Sequence, residues 1–169
     1  LPDLLGWVRD AIHPDVGADN LNPSNYPPAI PDARIHDAFV GEIRTFLDDG
    51  QLSDDAELRL RRGHGQTQEE MYRIKYTQIR RIPDLVVFPQ TDEEVARLVS
   101  AAATHNVCLI PYGGGTNVSN ALSCEESEER MIVSVDMGRM NRILWIDPDN
   151  HMACIQAGAV GRTIAEQLA

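Results

Sequence analysis

The chain has 169 residues and a formal net charge of −11, from 26 acidic against 15 basic side chains. That balance argues against nucleic acid and anionic membranes as partners, because phosphate surfaces attract basic ones. Hydrophobic residues make up 43%, enough for a packed core, but only 5% are aromatic, so that core must rest on Val, Ile, Leu and Ala.

No run approaches the roughly 18 apolar residues that a membrane helix needs. Nothing at the start reads as a signal peptide, and Leu1 in place of Met reads as a trimmed start. The three cysteines, Cys108, Cys124 and Cys154, form no CxxC and no zinc spacing, which predicts free thiols. Cys108 and Cys154 sit in apolar runs and are expected to be buried.

Two regions differ in character: residues 1–81 are helical and Pro-interrupted, and residues 82–169 alternate strand and helix signals. Pro2 fits a helix start, followed by Leu4, Leu5, Val8 and Ile12 at helical spacing. Pro14, Pro23, Pro27, Pro28 and Pro31 make residues 14–31 extended and irregular. Ile35, Phe39, Ile43, Phe46 and Leu47 mark one face of a second helix ending at Gly50. Asp54 with Glu57 and Thr67 with Glu70 read as capping boxes, and Glu57/Arg61 as an i,i+4 pair. The second box introduces a helix with Met71, Ile74 and Gln78 on one side.

From Pro83 the pattern changes. Leu85–Phe88 is a short apolar run, as expected of a strand buried on both faces. Thr91-Asp92-Glu93-Glu94 reads as the clearest capping box in the chain and opens a helix with Val95, Leu98, Val99, Ala102 and Ala103 at the 3.6 period, ended by His105-Asn106. Val107–Ile110 is a second buried strand, so strand, helix and strand form a βαβ unit. Met131–Val135 and Arg142–Ile146 read as two more strands. A fifth, His151–Gln156, pairs with the fourth as a hairpin across Asp147-Pro148-Asp149-Asn150. A last helix is expected near Thr163, with Ile164 and Leu168 facing inward. The chain stops within that helix, which predicts a fragment.

The βαβ unit runs straight into Pro111-Tyr112-Gly113-Gly114-Gly115-Thr116-Asn117. Glycines after a buried strand let the backbone approach a ligand and take positive φ, so that successive N–H groups can hold a phosphate. There is no Lys after the glycines, so this is not a Walker A loop, and GGG is not the GxGxxG of a Rossmann turn. A tight turn without ligand accounts for three glycines equally well; the strand before and Thr116-Asn117 after favour a ligand. Weaker candidates surround it. His64, between Gly63 and Gly65 and beside Arg61 and Arg62, reads as an anion site or a solvated basic turn. His13, His36, His105 and His151 are scattered surface or capping positions, Arg80-Arg81 is a solvated pair, and Trp145 packs in a core or hairpin. No catalytic constellation and no metal site stands out. The residues alone give a nucleotide-cofactor half-domain.

Several stretches carry a family resemblance: Leu21-Asn22-Pro23-Ser24, Arg81-Ile82-Pro83-Asp84, Pro111 to Ser119, and Met140-Asn141-Arg142-Ile143-Leu144-Trp145. They resemble the vanillyl-alcohol-oxidase type of FAD domain and, within it, the amino-terminal part of the alkylglycerone-phosphate synthases. The resemblance implies an α+β fold: a helical segment, then the first half of an FAD-binding domain made of a βαβ unit plus antiparallel strands. It implies FAD, with its pyrophosphate on Pro111, Tyr112, Gly113, Gly114, Gly115, Thr116 and Asn117, and with Ala157-Gly158 passing near the flavin. Some relatives tether FAD through a His in or after this loop; Gly113–Asn120 has none, which implies non-covalent FAD.

The reaction implied replaces the acyl chain of acyl-dihydroxyacetone phosphate by a long-chain fatty alcohol, through a flavin adduct and without net redox change. The resemblance also implies a homodimer and a peroxisomal or glycosomal location, and allows peripheral membrane contact. The family's catalytic Tyr, His and Arg lie in its carboxy-terminal portion, so no residue here is expected to be catalytic. Two other readings stay open: an FAD-linked oxidase of a hydroxy acid, which should lack Asn141–Trp145, and a silent interaction segment without flavin.

Overall fold

The computed structural model describes residues 4–14 and 22–168. Pro2, the Leu5 side chain, Leu21 and Ala169, each used above, lie outside the described residues. Among the described residues the helices are α1 (Leu4–Ile12), α2 (Asp37–Ile43), α3 (Ala56–Arg62), α4 (Gln68–Tyr76), α5 (Asp92–Thr104) and α6 (Gly161–Leu168). The strands among the same residues are β1 (Leu52–Ser53), β2 (Leu85–Val87), β3 (Cys108–Tyr112), β4 (Ile132–Asp136), β5 (Ile143–Asp147) and β6 (Met152–Ile155). Residues 22–31 have no regular structure, as their prolines dictate.

The main sheet has the order β1-β2-β4-β3. β2, β4 and β3 are parallel, and β1 is antiparallel to β2. The βαβ unit is therefore present, but its two strands are not neighbours: β4 inserts between them. β5 and β6 form a separate antiparallel hairpin with Ile143 opposite Ile155.

Period-two alternation divides the main sheet into two covered faces. Leu85 and Val87 on β2 and Val133 and Val135 on β4 pack with Phe39, Ile43 and Leu47 around α2, and with Leu98, Ala101 and Ala102 of α5. The opposite face of β2 and β4 meets α3. Both strands are buried along their whole length, which is why they read as unbroken apolar runs. One polar group has no partner there: the buried Ser134 hydroxyl of β4 makes no hydrogen bond.

β3 corrects the expectation of a second buried strand. It is the sheet's edge, and Cys108, Leu109 and Ile110 are half-buried. Cys108 N donates to Met131 O, so by alternation the amide positions of residues 109 and 111 point away from β4. Pro111, which has no N–H, is tolerated there for that reason.

The ends of the helices follow local chemistry. Thr67 and Glu70 form the expected capping box on α4. The expected box on α5 is half made: Thr91 accepts from Glu94 N, but the Glu94 carboxylate accepts from Gln90 N and Gln51 Nε2 instead of Thr91 N; Asn106 ends the helix with φ of 54°. The α3 cap is Asp55 rather than Asp54, accepting from Leu58 N at 2.8 Å. α2 ends at Ile43, before Gly50, which falls in a short 3-10 turn of residues 49–51.

Other expectations fail on burial. Val99 is 54% exposed while Ala101 takes its place inside. Leu168 is 57% exposed on α6, which starts at Gly161, two residues before Thr163. Trp145 is 51% exposed on the hairpin, and Cys154 is half-buried, as is Cys108. Arg80-Arg81 divides: Arg80 is an exposed partner of Glu126, but Arg81 is buried against Asp84.

Candidate functional site

β3 and β4 end side by side, with Tyr112 opposite Asp136. Ligands of open parallel sheets gather beyond the carboxyl ends of the strands, where connections diverge. The glycine loop leaves the sheet at this end. Gly115 has φ of 68°, and a Cβ there would lie 2.2 Å from the Tyr112 hydroxyl, so a side chain would be strained and would displace the Tyr112 ring. Asn117 follows with φ of 54°. Gly113 and Gly114 face open space.

Among the described residues, the backbone N–H groups of Gly113, Gly114, Gly115 and Thr116 donate to no protein acceptor. A run of unpaired N–H groups through a turn of changing handedness is the backbone arrangement that binds a phosphate. The loop encloses a concavity of about 370 Å³ lined by residues 113–119, Ala121 and Leu122.

The loop is held from behind. Asn117 is buried; its Nδ2 donates to Glu70 Oε1 at 2.5 Å, and its Oδ1 accepts from Leu122 N at 2.8 Å. Glu70 also accepts from Gly65 N at 2.7 Å, Thr67 N at 3.2 Å and Thr67 Oγ1 at 2.8 Å. Burial works to raise the Glu70 pKa, but the hydrogen bonds from Gly65, Thr67 and Asn117 outweigh it and hold the carboxyl below its usual range.

A second contact comes from α3. Arg62 Nε donates to Asp136 Oδ2 at 2.6 Å, and the guanidinium lies 4.7 Å from the Tyr112 ring centroid. Asp136 uses its other oxygen to accept from Gly138 N at 2.8 Å. Asp136 neutralises the Arg62 charge, but among the described residues the terminal nitrogens of Arg62 have no acceptor, so they remain as donors beside the Tyr112 ring.

The structure separates the other candidates. Arg61 is exposed and pairs with Glu57, as its spacing predicts. His64 turns inward, its Nδ1 2.6 Å from Gly65 O. His105 pairs with Glu42 at 2.7 Å, and His36 caps α2 by accepting from Phe39 N. Asp147 accepts from Asp149 N and Asn150 N in the hairpin turn. Gly158 packs on the turn after β4, where a Cβ would lie 1.7 Å from Met137 O.

A larger cleft, about 990 Å³, runs between α4 and the 120–127 segment. Its cations are already neutralised: Arg73 by Glu69, Arg80 by Glu126 and Arg81 by Asp84. Among the described residues, no group of His, Cys, Asp and Glu is arranged to hold a metal ion.

Residues 83–169, from the start of β2 through α6, match the family described as FAD binding domain. The chain belongs to this family. Its FAD-binding segment is similar in sequence and structure to named relatives. The alkyldihydroxyacetonephosphate synthase of Caenorhabditis elegans is 36% identical over 99% of this chain, which covers 28% of that protein. That of Dictyostelium discoideum is also 36% identical, over 99% of this chain and 28% of its own length. A solved structure of alkyldihydroxyacetonephosphate synthase superposes with a TM-score of 0.82 at 36% identity, covering 99% of this chain and 31% of that one. The chain thus spans less than a third of the length of these relatives.

FAD is the family's cofactor, and the residues present fit it: unpaired N–H groups and open space at Gly113 and Gly114 suit its pyrophosphate. Sequence reasoning singled out the loop but not the Glu70 and Gly65 contacts behind it or the Arg62–Asp136 pair next to Tyr112. Only Glu70 had left a signal, as the last residue of a capping box.

Proposed function

We propose that this chain contributes the pyrophosphate-binding segment of an FAD-dependent alkylglycerone-phosphate synthase. The observation that carries the reading is the row of unpaired N–H donors from Gly113 to Thr116, set beyond the carboxyl end of β3. Pro111 and Tyr112 end the strand and support Gly115, the three glycines and Thr116 donate to the pyrophosphate, and Asn117 fixes the loop from behind. Arg62, ion-paired with Asp136, offers its terminal N–H donors beside it. The division at residue 82 belongs to this proposal, although β1 and α2 share the core of the sheet.

FAD, when bound, supplies the electrophilic ring on which an exchange without net redox change runs. The substrates proposed are acyl-dihydroxyacetone phosphate and a long-chain fatty alcohol, and the setting is a homodimer in the peroxisome or glycosome, with peripheral membrane contact. Likeness to alkyldihydroxyacetonephosphate synthases along nearly the whole chain supports this above a hydroxy-acid oxidase. The part proposed for this segment is binding and not proton transfer, since among the described residues no acid–base pair faces the loop. Because residues 113–120 contain no His, FAD is proposed to be held without a covalent bond.

The test is to purify the intact protein, record its flavin absorbance, and follow exchange of labelled hexadecanol into acyl-dihydroxyacetone phosphate. Yellow protein that forms the ether product, and releases FAD into the supernatant on acid precipitation, is the expected result. Colourless protein, or yellow protein that only reduces a dye with a hydroxy acid, rejects the reading.

A further inference from the structure

Two observations place a residue outside the matched FAD-binding segment against the glycine loop. The first is the Glu70 carboxylate, which gathers Gly65 N, Thr67 N, Thr67 Oγ1 and Asn117 Nδ2 with no cation among its partners. The second is a close approach: a Cβ on Gly65 would lie 2.1 Å from Asn117 Cβ and 2.9 Å from Thr116 O. The turn after α3 and the start of α4 therefore press on the loop at the residues that follow its glycines. They also fix its shape, because the buried Asn117 side chain spends both polar atoms, one on Glu70 and one on Leu122 N.

We propose that Glu70 is a positioning residue for the cofactor: it holds Asn117, and through it the Gly113–Thr116 donors, in the conformation that receives the FAD pyrophosphate. The proposal rests on the reading of this loop as the pyrophosphate site. A loop held in its binding shape binds tighter, because ordering it costs nothing at the moment of binding. Glu70 also does this at some electrostatic cost, since it sets a negative charge near an anion site. Four neutral donors spread over that carboxylate offset the cost, and they keep it ionised at neutral pH.

The chemistry gives the test a signature that loss of packing lacks. In Asn117→Asp, a second carboxylate replaces the amide that donates to Glu70. Two carboxylates at that distance share a proton only below a raised pKa, and repel above it. FAD titration of the intact apoprotein, followed by quenching of flavin fluorescence, is run from about pH 5 to pH 8. The wild type is expected to bind with constant affinity across that range. Asn117→Asp is expected to bind roughly tenfold or more weakly at the upper end, and to regain affinity as the pH falls and the pair takes up a proton.

Wild-type binding with an Asn117→Asp variant of equal and pH-independent affinity overturns the proposal alone. A wild type without affinity for FAD removes the functional reading and this proposal with it. If Asn117→Asp does not accumulate as soluble protein, Asn117→Ser removes the contact without adding charge. It is expected to weaken FAD binding about tenfold while the melting temperature of the apoprotein stays within a few degrees. Unchanged affinity in that variant overturns the proposal too.

Discussion

Two carboxylates organise this molecule, and they are built differently. Asp84 is fully buried at the start of β2. It takes a bidentate pair from Arg81 at 2.7 and 2.8 Å, and accepts from Arg34 N at 2.9 Å and Ile132 N at 2.7 Å. It ties the amino-terminal segment, β2 and the first residue of β4 into one unit. Glu70 also has four donors, but they are all neutral, and it is only half-buried. A carboxylate deep in a core needs a cation to offset its desolvation. One at the edge of a loop is satisfied by amides and hydroxyls. The comparison separates a carboxylate that serves the fold from one that serves the loop.

Removing Asp84 is expected to have the largest effect. Asp84→Ala leaves a buried guanidinium without its partner and two backbone N–H groups without acceptors. Truncating one side of a buried pair costs about 3–5 kcal/mol. Denaturant unfolding of the intact protein should show that loss, with FAD affinity following stability; a loss below about 1 kcal/mol would mean that Asp84 is not what joins β2 to β4.

Gly65→Ala should act on the other side of the comparison. The methyl would meet Asn117 and Thr116 O at distances that force the loop to move. The expected stability cost is about 1–3 kcal/mol, as for other overpacked sites. FAD affinity should fall further than that stability loss explains, because the displaced atoms belong to the loop itself. Equal losses in the two measurements would erase the distinction between the two carboxylates.

The acid limb sharpens the same point. Glu70 titrates below the usual carboxylate range in the folded protein, so its contribution is full above the unfolded pKa, near 4.3–4.5. It is lost as the pH falls through the lowered folded value. FAD affinity of the wild type should therefore hold down to about pH 5 and fall only below it. In Glu70→Gln that acid step should be absent and affinity lower throughout; an identical acid profile would assign the step to another group.

Much of this was legible in the sequence, for definite reasons. The glycine loop announces itself because GGG follows an apolar run, and the Thr67–Glu70 box because its spacing is local. The α5 cap and the β5–β6 hairpin were legible on the same ground. What stayed hidden depends on partners far away in the chain. Glu70 and Asn117 are 47 positions apart, and Arg62 and Asp136 are 74 apart. The insertion of β4 between β2 and β3 leaves no periodic trace, and β1, at two residues, is too short to show any period. Arg81 and Asp84 sit three apart outside a helix, where that spacing carries no contact rule. Trp145 misled because an apolar run reads the same on an exposed hairpin as in a core.

That hairpin supplies the smallest expected effect. Leu144, Trp145, Ile146 and Met152 are each at least half exposed. Its hydrogen bonds to neighbouring segments use main-chain groups and the Gln167 side chain of α6: Gln167 accepts from Ile143 N and donates to Asn141 O, each at 3.2 Å, and Gly158 N donates to Met140 O. Truncating a side chain that stands half in solvent removes little burial and leaves no polar group unpaired. Trp145→Ala should therefore cost less than about 1 kcal/mol in denaturant unfolding of this 169-residue chain. It should also leave the Asp84 and Gly65 effects additive with its own, since sites without shared partners do not couple. A cost near that of Asp84→Ala, in this chain alone, would show that the hairpin face is packed in solution and that the two-carboxylate division omits a third support.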